Sequence, residues 1–198
     1  MEFYTNPRIV DSFKSFTQKL LTRVNRYTNM TYADDPTIFA IESGNELLGP
    51  NWGDMNCPAT WVRDIARYVK TLAPGKLFVD GTYGVNRTHL TISEVDIFSN
   101  HYYPVSVDKL KGDLEAVAGA GRAYFAGEYD WVSGSVSSLA EWFAVLEKSP
   151  AAAGDAFWSL FGRNVPDCTV SLLSLRKLCF FIPSNYCSTG LIMQTASR

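Results

Sequence analysis

The chain has 198 residues, 46% of them hydrophobic and 19% charged, enough to build one domain with a sizeable core, which excludes a disordered or fibrous chain. Its 18 basic and 20 acidic residues leave a net charge of −2; nothing is arranged to neutralise phosphates, so nucleic acid is not expected as a partner. Aromatic residues make up 14%, a share that suits either a large core or a cleft that stacks flat sugar faces.

From the N-terminus, Ile9, Val10, Phe13, Phe16, Leu20, Leu21 and Val24 recur at helical spacing, with Asn6 as a cap and Pro7 in the first turn, so a helix is expected over 9–24. Asp34-Asp35-Pro36 turns the chain into a short buried strand over 37–41. A helix follows over 60–72, with Trp61 as a packing residue beside Ile65 and Val69, and Pro74-Gly75 ends it. The second strand is expected over 77–79, the third over 95–98, a helix over 107–117, and the fourth strand over 123–126. Leu139, Phe143 and Leu146 mark one more helix, and 156–161 reads as the fifth strand. This alternation is that of an α/β protein with a parallel sheet, either an open doubly wound sheet or part of a (β/α)8 barrel. Gly119-Ala120-Gly121 lacks a third glycine and precedes a strand, so it is a helix-to-strand turn, not a nucleotide-binding fingerprint.

Polar chemistry collects after each expected strand. Glu42-Ser43-Gly44-Asn45-Glu46 follows the first, Asp80-Gly81-Thr82-Tyr83 the second, Asn100-His101-Tyr102-Tyr103 the third, and Gly127-Glu128-Tyr129-Asp130-Trp131 the fourth. The fifth carries Trp158 and Arg163. Active sites of parallel α/β proteins lie at these C-terminal strand ends, whereas a purely structural role would scatter polar residues over both ends. Cys57, Cys168, Cys179 and Cys187 match no zinc spacing and make no disulfide framework, so no metal site is expected. Residues 169–198 hold Arg176, Lys177 and Arg198 and no acid, a basic tail set apart from 1–168. The polar N-terminus does not read as a signal peptide, and no apolar run is long enough to span a bilayer. Sequons at Asn29 and Asn86 support secretion only weakly.

Glu46 and Glu128 each follow an apolar strand. Two carboxylates converging over a barrel mouth suit glycoside hydrolysis, one protonating the leaving oxygen while the other attacks the anomeric carbon. Taken singly, either is better explained by a structural role, since Glu is common and chance pairs abound. Asn45-Glu46, His101-x-Tyr103 at a later strand end, and Glu128 followed by aromatics resemble the catalytic set of clan A retaining glycoside hydrolases. The segment 38–163 is similar to glycoside hydrolase family five, in particular its fungal endo-β-1,4-mannanase-type members. The likeness rests on Ser43-Gly44-Asn45-Glu46-Leu47, on Ser93-Glu94-Val95-Asp96-Ile97-Phe98-Ser99-Asn100-His101, and on Phe125-Ala126-Gly127-Glu128-Tyr129-Asp130-Trp131.

The resemblance implies Glu46 as acid/base, Glu128 as nucleophile and Asn45 on the sugar 2-hydroxyl. It places Tyr103 against the nucleophile, His101 beside the acid/base, and Trp158 under the sugar as a platform, with Trp131 and Tyr83 lining the cleft. It implies a β-linked polysaccharide substrate (mannan or glucan), no cofactor and a secreted protein. Plainer roles stay open: His101 and Tyr103 as a buried hydrogen-bonded pair, Trp158 as core.

By the same resemblance the strands correspond to the fourth to eighth of a (β/α)8 TIM barrel, with 9–27 as the third helix. A partial barrel of five parallel strands in sequential order is therefore expected over 1–168, with 169–198 outside the fold. The family's first three strands, and the Arg it places beside the nucleophile on strand two, have no counterpart in this sequence. The chain then reads as part of an enzyme with an open sheet edge, through which self-association is expected. A weakly active homologue, or a non-catalytic carbohydrate-binding module, is the alternative to a working hydrolase.

Overall fold

A computed structural model of the chain describes residues 2–49, 57–129 and 138–158; Trp131, Arg163 and the tail 169–198 lie outside them. A short helix α1 (Glu2–Thr5) leads into α2 (Pro7–Leu21). Asn6 is extended and its side-chain oxygen accepts from the Arg8 N–H at 3.1 Å, while Pro7 occupies the first turn, where its missing N–H costs nothing. The chain then runs through β1 (Ala40–Glu42), α3 (Ala59–Leu72), β2 (Leu77–Asp80), a 3-10 turn at His89–Thr91, β3 (Ile97–Tyr102) and α4 (Val107–Gly119). Among the described residues β4 (Ala123–Tyr129), α5 (Leu139–Lys148) and β5 (Ala152–Asp155) follow. The five strands form one sheet in the order β1-β2-β3-β4-β5, every neighbouring pair parallel.

α3 and α4 each pack a buried face against the sheet, while α1 and α2 lie on α3. In α3, Trp61, Val62, Ile65, Ala66 and Val69 are all buried, a stripe at helical spacing in which each Val or Ile contributes about 1.5–3 kcal/mol by leaving water. Trp61 is the packing residue the periodicity implies: it meets Tyr4 edge-on at 5.1 Å and Phe13 at 5.5 Å between ring centroids, fastening α1 and α2 to α3. Trp142 of α5 is fully buried against Tyr102 and Tyr129. Ser106 and Ser138 cap α4 and α5 through the Lys109 and Glu141 N–H groups.

Four strands differ from the sequence expectation by more than one residue. The first starts later, because Thr37 spends its N–H and hydroxyl on Asp35 Oδ1 (2.9 and 2.6 Å) in a local turn before the ladder begins. The third reaches Tyr102, so Ser99, Asn100 and His101 lie within a fully buried strand, not after it. The fourth runs on to Tyr129, so Glu128 lies within β4 and not after it. The fifth lies earlier, at Ala152–Asp155; residues 156–158 of the expected span follow it, and 159–161 lie outside the described residues. Its small residues carry little hydrophobic pattern, yet smallness is what lets the strand lie close to β4: a Cβ on Gly154 would come within 3.1 Å of the Phe125 ring.

Candidate active site

The C-terminal ends of β1, β3 and β4 bring the two carboxylates together. Glu46 lies in the loop after β1, and that loop is stitched to β2: Ser43 N–H donates to Val79 O (3.1 Å), Gly81 N–H to Ser43 Oγ (2.9 Å) and Leu47 N–H to Gly81 O (3.0 Å). The approach is so close that a Cβ on Gly81 would sit 1.8 Å from Gly44 O. Only glycine fits there. Glu46 itself has φ +48°, a left-handed conformation that costs a non-glycine residue about 1 kcal/mol and turns its side chain toward β3.

His101 of β3 is 9% exposed, and its Nδ1 lies 2.7 Å from Glu46 Oε1 and 3.7 Å from Glu128 Oε2. One oxygen of each carboxylate and this nitrogen all fall within 4.8 Å of one another. Tyr103 donates its hydroxyl to Glu128 Oε2 at 2.8 Å. The β3–β4 register slips between Asn100 and His101, so that Asn100 faces Ala126 while His101 faces Glu128, leaving Gly127 as the extra residue. Such a bulge re-aims the side chain that follows it.

Of the other residues the resemblance singles out, Asn45 is exposed in the loop immediately before Glu46. Tyr83 is half-exposed beside Lys109, whose Nζ stands 5.7 Å from its ring centre. Trp158 is not core: its side chain is 60% exposed, while its N–H donates to Tyr129 O at 3.2 Å at the end of β4. Nor are His101 and Tyr103 an isolated buried pair, since each binds a carboxylate and Tyr103 is half-exposed.

Three further residues belong to the site. Glu42, at the end of β1, has its carboxyl held above the usual carboxylate range, chiefly by desolvation and further by the negative charges of Asp80 and Glu128, against the opposing effect of His101. Lys109 and Asp113 come from α4. Burial lowers the Lys109 ammonium, with Asp113 and Glu46 acting the other way. The pair sits at i, i+4 on a helix, a pattern that reads as an ordinary solvated face, so sequence alone does not draw attention to it.

The trio Glu46, His101 and Glu128 offers the donor types of a metal site. Its geometry is that of a hydrogen-bonded cluster instead: a nitrogen and an oxygen 2.7 Å apart are bonded to each other, whereas ligands sharing a cation at about 2.0–2.2 Å stand farther apart.

A family model described as glycoside hydrolase family 5, beta-mannosidase-like, matches residues 1–114. The chain belongs to that family. The matched span holds Asn45, Glu46, His101 and Tyr103; Glu128 lies beyond it and reaches the site through the β3–β4 pairing. The chain is 35% identical over 103 residues to mannan endo-1,4-beta-mannosidase 8 of Oryza sativa subsp. japonica, covering 50% of this chain and 28% of that protein. It is 36% identical over 86 residues to mannan endo-1,4-beta-mannosidase 1 of Solanum lycopersicum, covering 42% and 22%. It thus spans about a quarter of the curated relatives it matches. Among solved structures it is similar to the endo-1,4-beta-mannanase of Rhizomucor miehei, with 28% identity, a TM-score of 0.66, and coverage of 80% of this chain and 55% of that one. The endo-1,4-beta-D-mannanase of Thermotoga petrophila RKU-1 aligns with a TM-score of 0.72 at 24% identity, covering 82% and 57%, and shares the fold. The five-stranded sheet is accordingly a partial TIM barrel.

Proposed function

We propose that the chain carries the catalytic centre of a retaining, endo-acting β-glycoside hydrolase whose substrate is β-1,4-mannan. The observation that carries this reading is the approach of the Glu46 and Glu128 carboxylate oxygens to within 4.8 Å. Retaining enzymes hold the two carboxyl groups about 5–5.5 Å apart, whereas inverting enzymes leave about 6.5–9.5 Å for a water molecule.

In the first step Glu128 attacks the anomeric carbon as Glu46 gives its proton to the departing glycosidic oxygen. In the second, Glu46 takes a proton from water, the resulting hydroxyl displaces Glu128, and both carboxyls return to their starting states. The Tyr103 hydroxyl fixes the rotamer of Glu128 by donating to Oε2, leaving the other oxygen to attack. His101 holds Glu46 from the side facing Glu128. Asn45 has an exposed amide for the sugar 2-hydroxyl, and Trp158 has an open face on which a sugar ring can stack. The mannan assignment follows from the relatives' names. β1 and β5 are the edges of the described sheet, and self-association through an edge belongs to the same proposal.

The test is reducing-sugar release from β-mannan, cellulose and β-1,3-glucan by the parent, Glu46→Gln and Glu128→Gln. The reading expects release from mannan, its loss by several orders of magnitude in Glu128→Gln, and in Glu46→Gln a loss that is milder on substrates with good leaving groups. Binding to mannan without hydrolysis by the parent would replace the enzyme with a carbohydrate-binding module.

A further inference from the structure

Helix α4 reaches under the C-terminal end of β3 with two side chains one turn apart. Asp113 Oδ2 accepts from Asn100 Nδ2 at 2.6 Å and from the Tyr102 hydroxyl at 2.8 Å, and that hydroxyl is in turn bonded to the Tyr124 hydroxyl. Asn100 Oδ1 accepts from the His101 backbone N–H at 2.8 Å. Lys109 donates from Nζ to the His101 carbonyl at 3.2 Å, lying 5.2 Å from the Tyr102 ring centre. Side chains that α4 supplies or orients therefore hold both polar backbone groups of His101, at the place where the β3–β4 register slips.

We propose that Asp113 is a positioning residue for the hydrolysis, acting through Asn100 and Tyr102 to fix the backbone of His101 and hence its grip on Glu46. The proposal rests on the reading of Glu46 and Glu128 as the catalytic pair. A carboxylate oxygen that accepts two neutral donors orients both through charge-assisted bonds, which are about twice as strong as neutral ones. A residue that only packed α4 on the sheet would have no need of a charge aimed at Asn100. Because Asn100 turns its amide N–H₂ to Asp113, its carbonyl is left pointing at His101. Removing Asp113 frees that amide to rotate, and the rotation takes the acceptor away from His101.

The experiment compares Asp113→Ala and Asp113→Asn with the parent by steady-state kinetics on β-mannan, thermal unfolding, and the imidazole ring signals in a 1H–13C NMR spectrum. The chain holds two histidines, so the spectrum is simple. His89, fixed between Asp80 Oδ2 (2.7 Å) and the Cys57 carbonyl (2.9 Å), is the internal reference. Asp113→Ala is expected to shift the His101 signals and leave those of His89 in place, with kcat falling roughly 10- to 100-fold and KM little changed, the range expected when a catalytic group is misplaced by up to 1 Å. Asp113→Asn, which keeps an acceptor of the same shape, should recover part of kcat and return the His101 signals toward the parent. His101 signals unmoved in both variants would overturn the proposal, as would an equal shift of both histidines accompanied by a matching loss of thermal stability. A parent with no hydrolytic activity refutes the functional reading, while the ring signals still decide whether Asp113 sets the position of His101.

Discussion

Gly127 precedes the proposed nucleophile, and replacing it by alanine places a methyl group against the cluster of Glu46, His101 and Glu128. The ideal Cβ would lie 2.5 Å from Ser99 Oγ, 2.8 Å from His101 Nε2 and 3.1 Å from His101 Cδ2, where ordinary contact starts at 3.4 Å. The ring must therefore yield by the difference between 3.4 and 2.8 Å, about 0.6 Å at Nε2. It cannot slide straight away, because Nδ1 is already 2.7 Å from Glu46; it must rotate, which breaks that bond. Crowding of this kind costs about 1–3 kcal/mol of stability, offset in part by the ~0.4–1 kcal/mol gained when a glycine's freedom in the unfolded chain is reduced. Displacement by about half an ångström or more predicts a loss in kcat of roughly 10- to 100-fold. A companion variant separates the two effects. Ser99→Ala removes the 2.5 Å clash but not the one with His101, so the double variant Ser99→Ala/Gly127→Ala should regain thermal stability and not activity. Stopped or continuous mannan assays beside differential scanning calorimetry read both quantities. Parent-level kcat in Gly127→Ala would mean that the His101 ring is not held as described, and the argument would fall.

Gly81→Ala meets backbone, not a side-chain tip, 1.8 Å from Gly44 O; it should unfold the β1–β2 loops at a cost above about 3 kcal/mol, and a urea midpoint within error of the parent's would contradict the packing. The Glu42 carboxyl is raised by burial and by Asp80 and Glu128, so the folded state holds its proton more tightly than the unfolded chain. Its ionisation thus destabilises the fold as pH rises through the folded value. Glu42→Gln should be the more stable protein at pH 7, by less than about 1 kcal/mol because solvent reaches the open side of the residue, and the gap should close toward pH 4; a gap widening in acid would reverse the sign. The Cys57 thiol, 3% exposed, is pushed up to about 12, first by burial and then by Asp80. Peptide mapping after alkylation at pH 8 should find it unmodified until denaturant is added, and rapid labelling in the native protein would place it outside the core.

The alternation of strands and helices was legible because α3 and α4 keep a helical apolar spacing and β2 and β4 carry apolar runs; the pairing of Glu46 with Glu128 was legible because both follow such runs. What stayed hidden has physical causes. β5 is two alanines, a glycine and Asp155, small enough at Gly154 to lie close to β4, and residues of that kind leave no hydrophobic pattern. β3 is buried on both faces, with Ser99, Asn100 and His101 among its buried residues, so a count of apolar residues ends the strand too early. Lys109 and Asp113 act across space on a strand that precedes them, and their spacing is shared by countless surface helices. Trp158 could be read as core or platform from sequence; its 60% exposure removes the core reading. Trp131 lies outside the described residues.

The central claim is that Glu128 forms the covalent glycosyl intermediate while Glu46 assists departure. Incubation with a 2-deoxy-2-fluoro-β-mannosyl fluoride is the most direct test, since loss of fluoride drives the first step and the 2-fluoro group slows the second. Peptide mass spectrometry should then find one fluoromannosyl group, esterified to Glu128, with labelling abolished in Glu128→Gln and retained in Glu46→Gln, whose acid is not needed to expel fluoride. A label on any other residue, or hydrolysis of mannan with no label trapped on Glu128, would contradict the account.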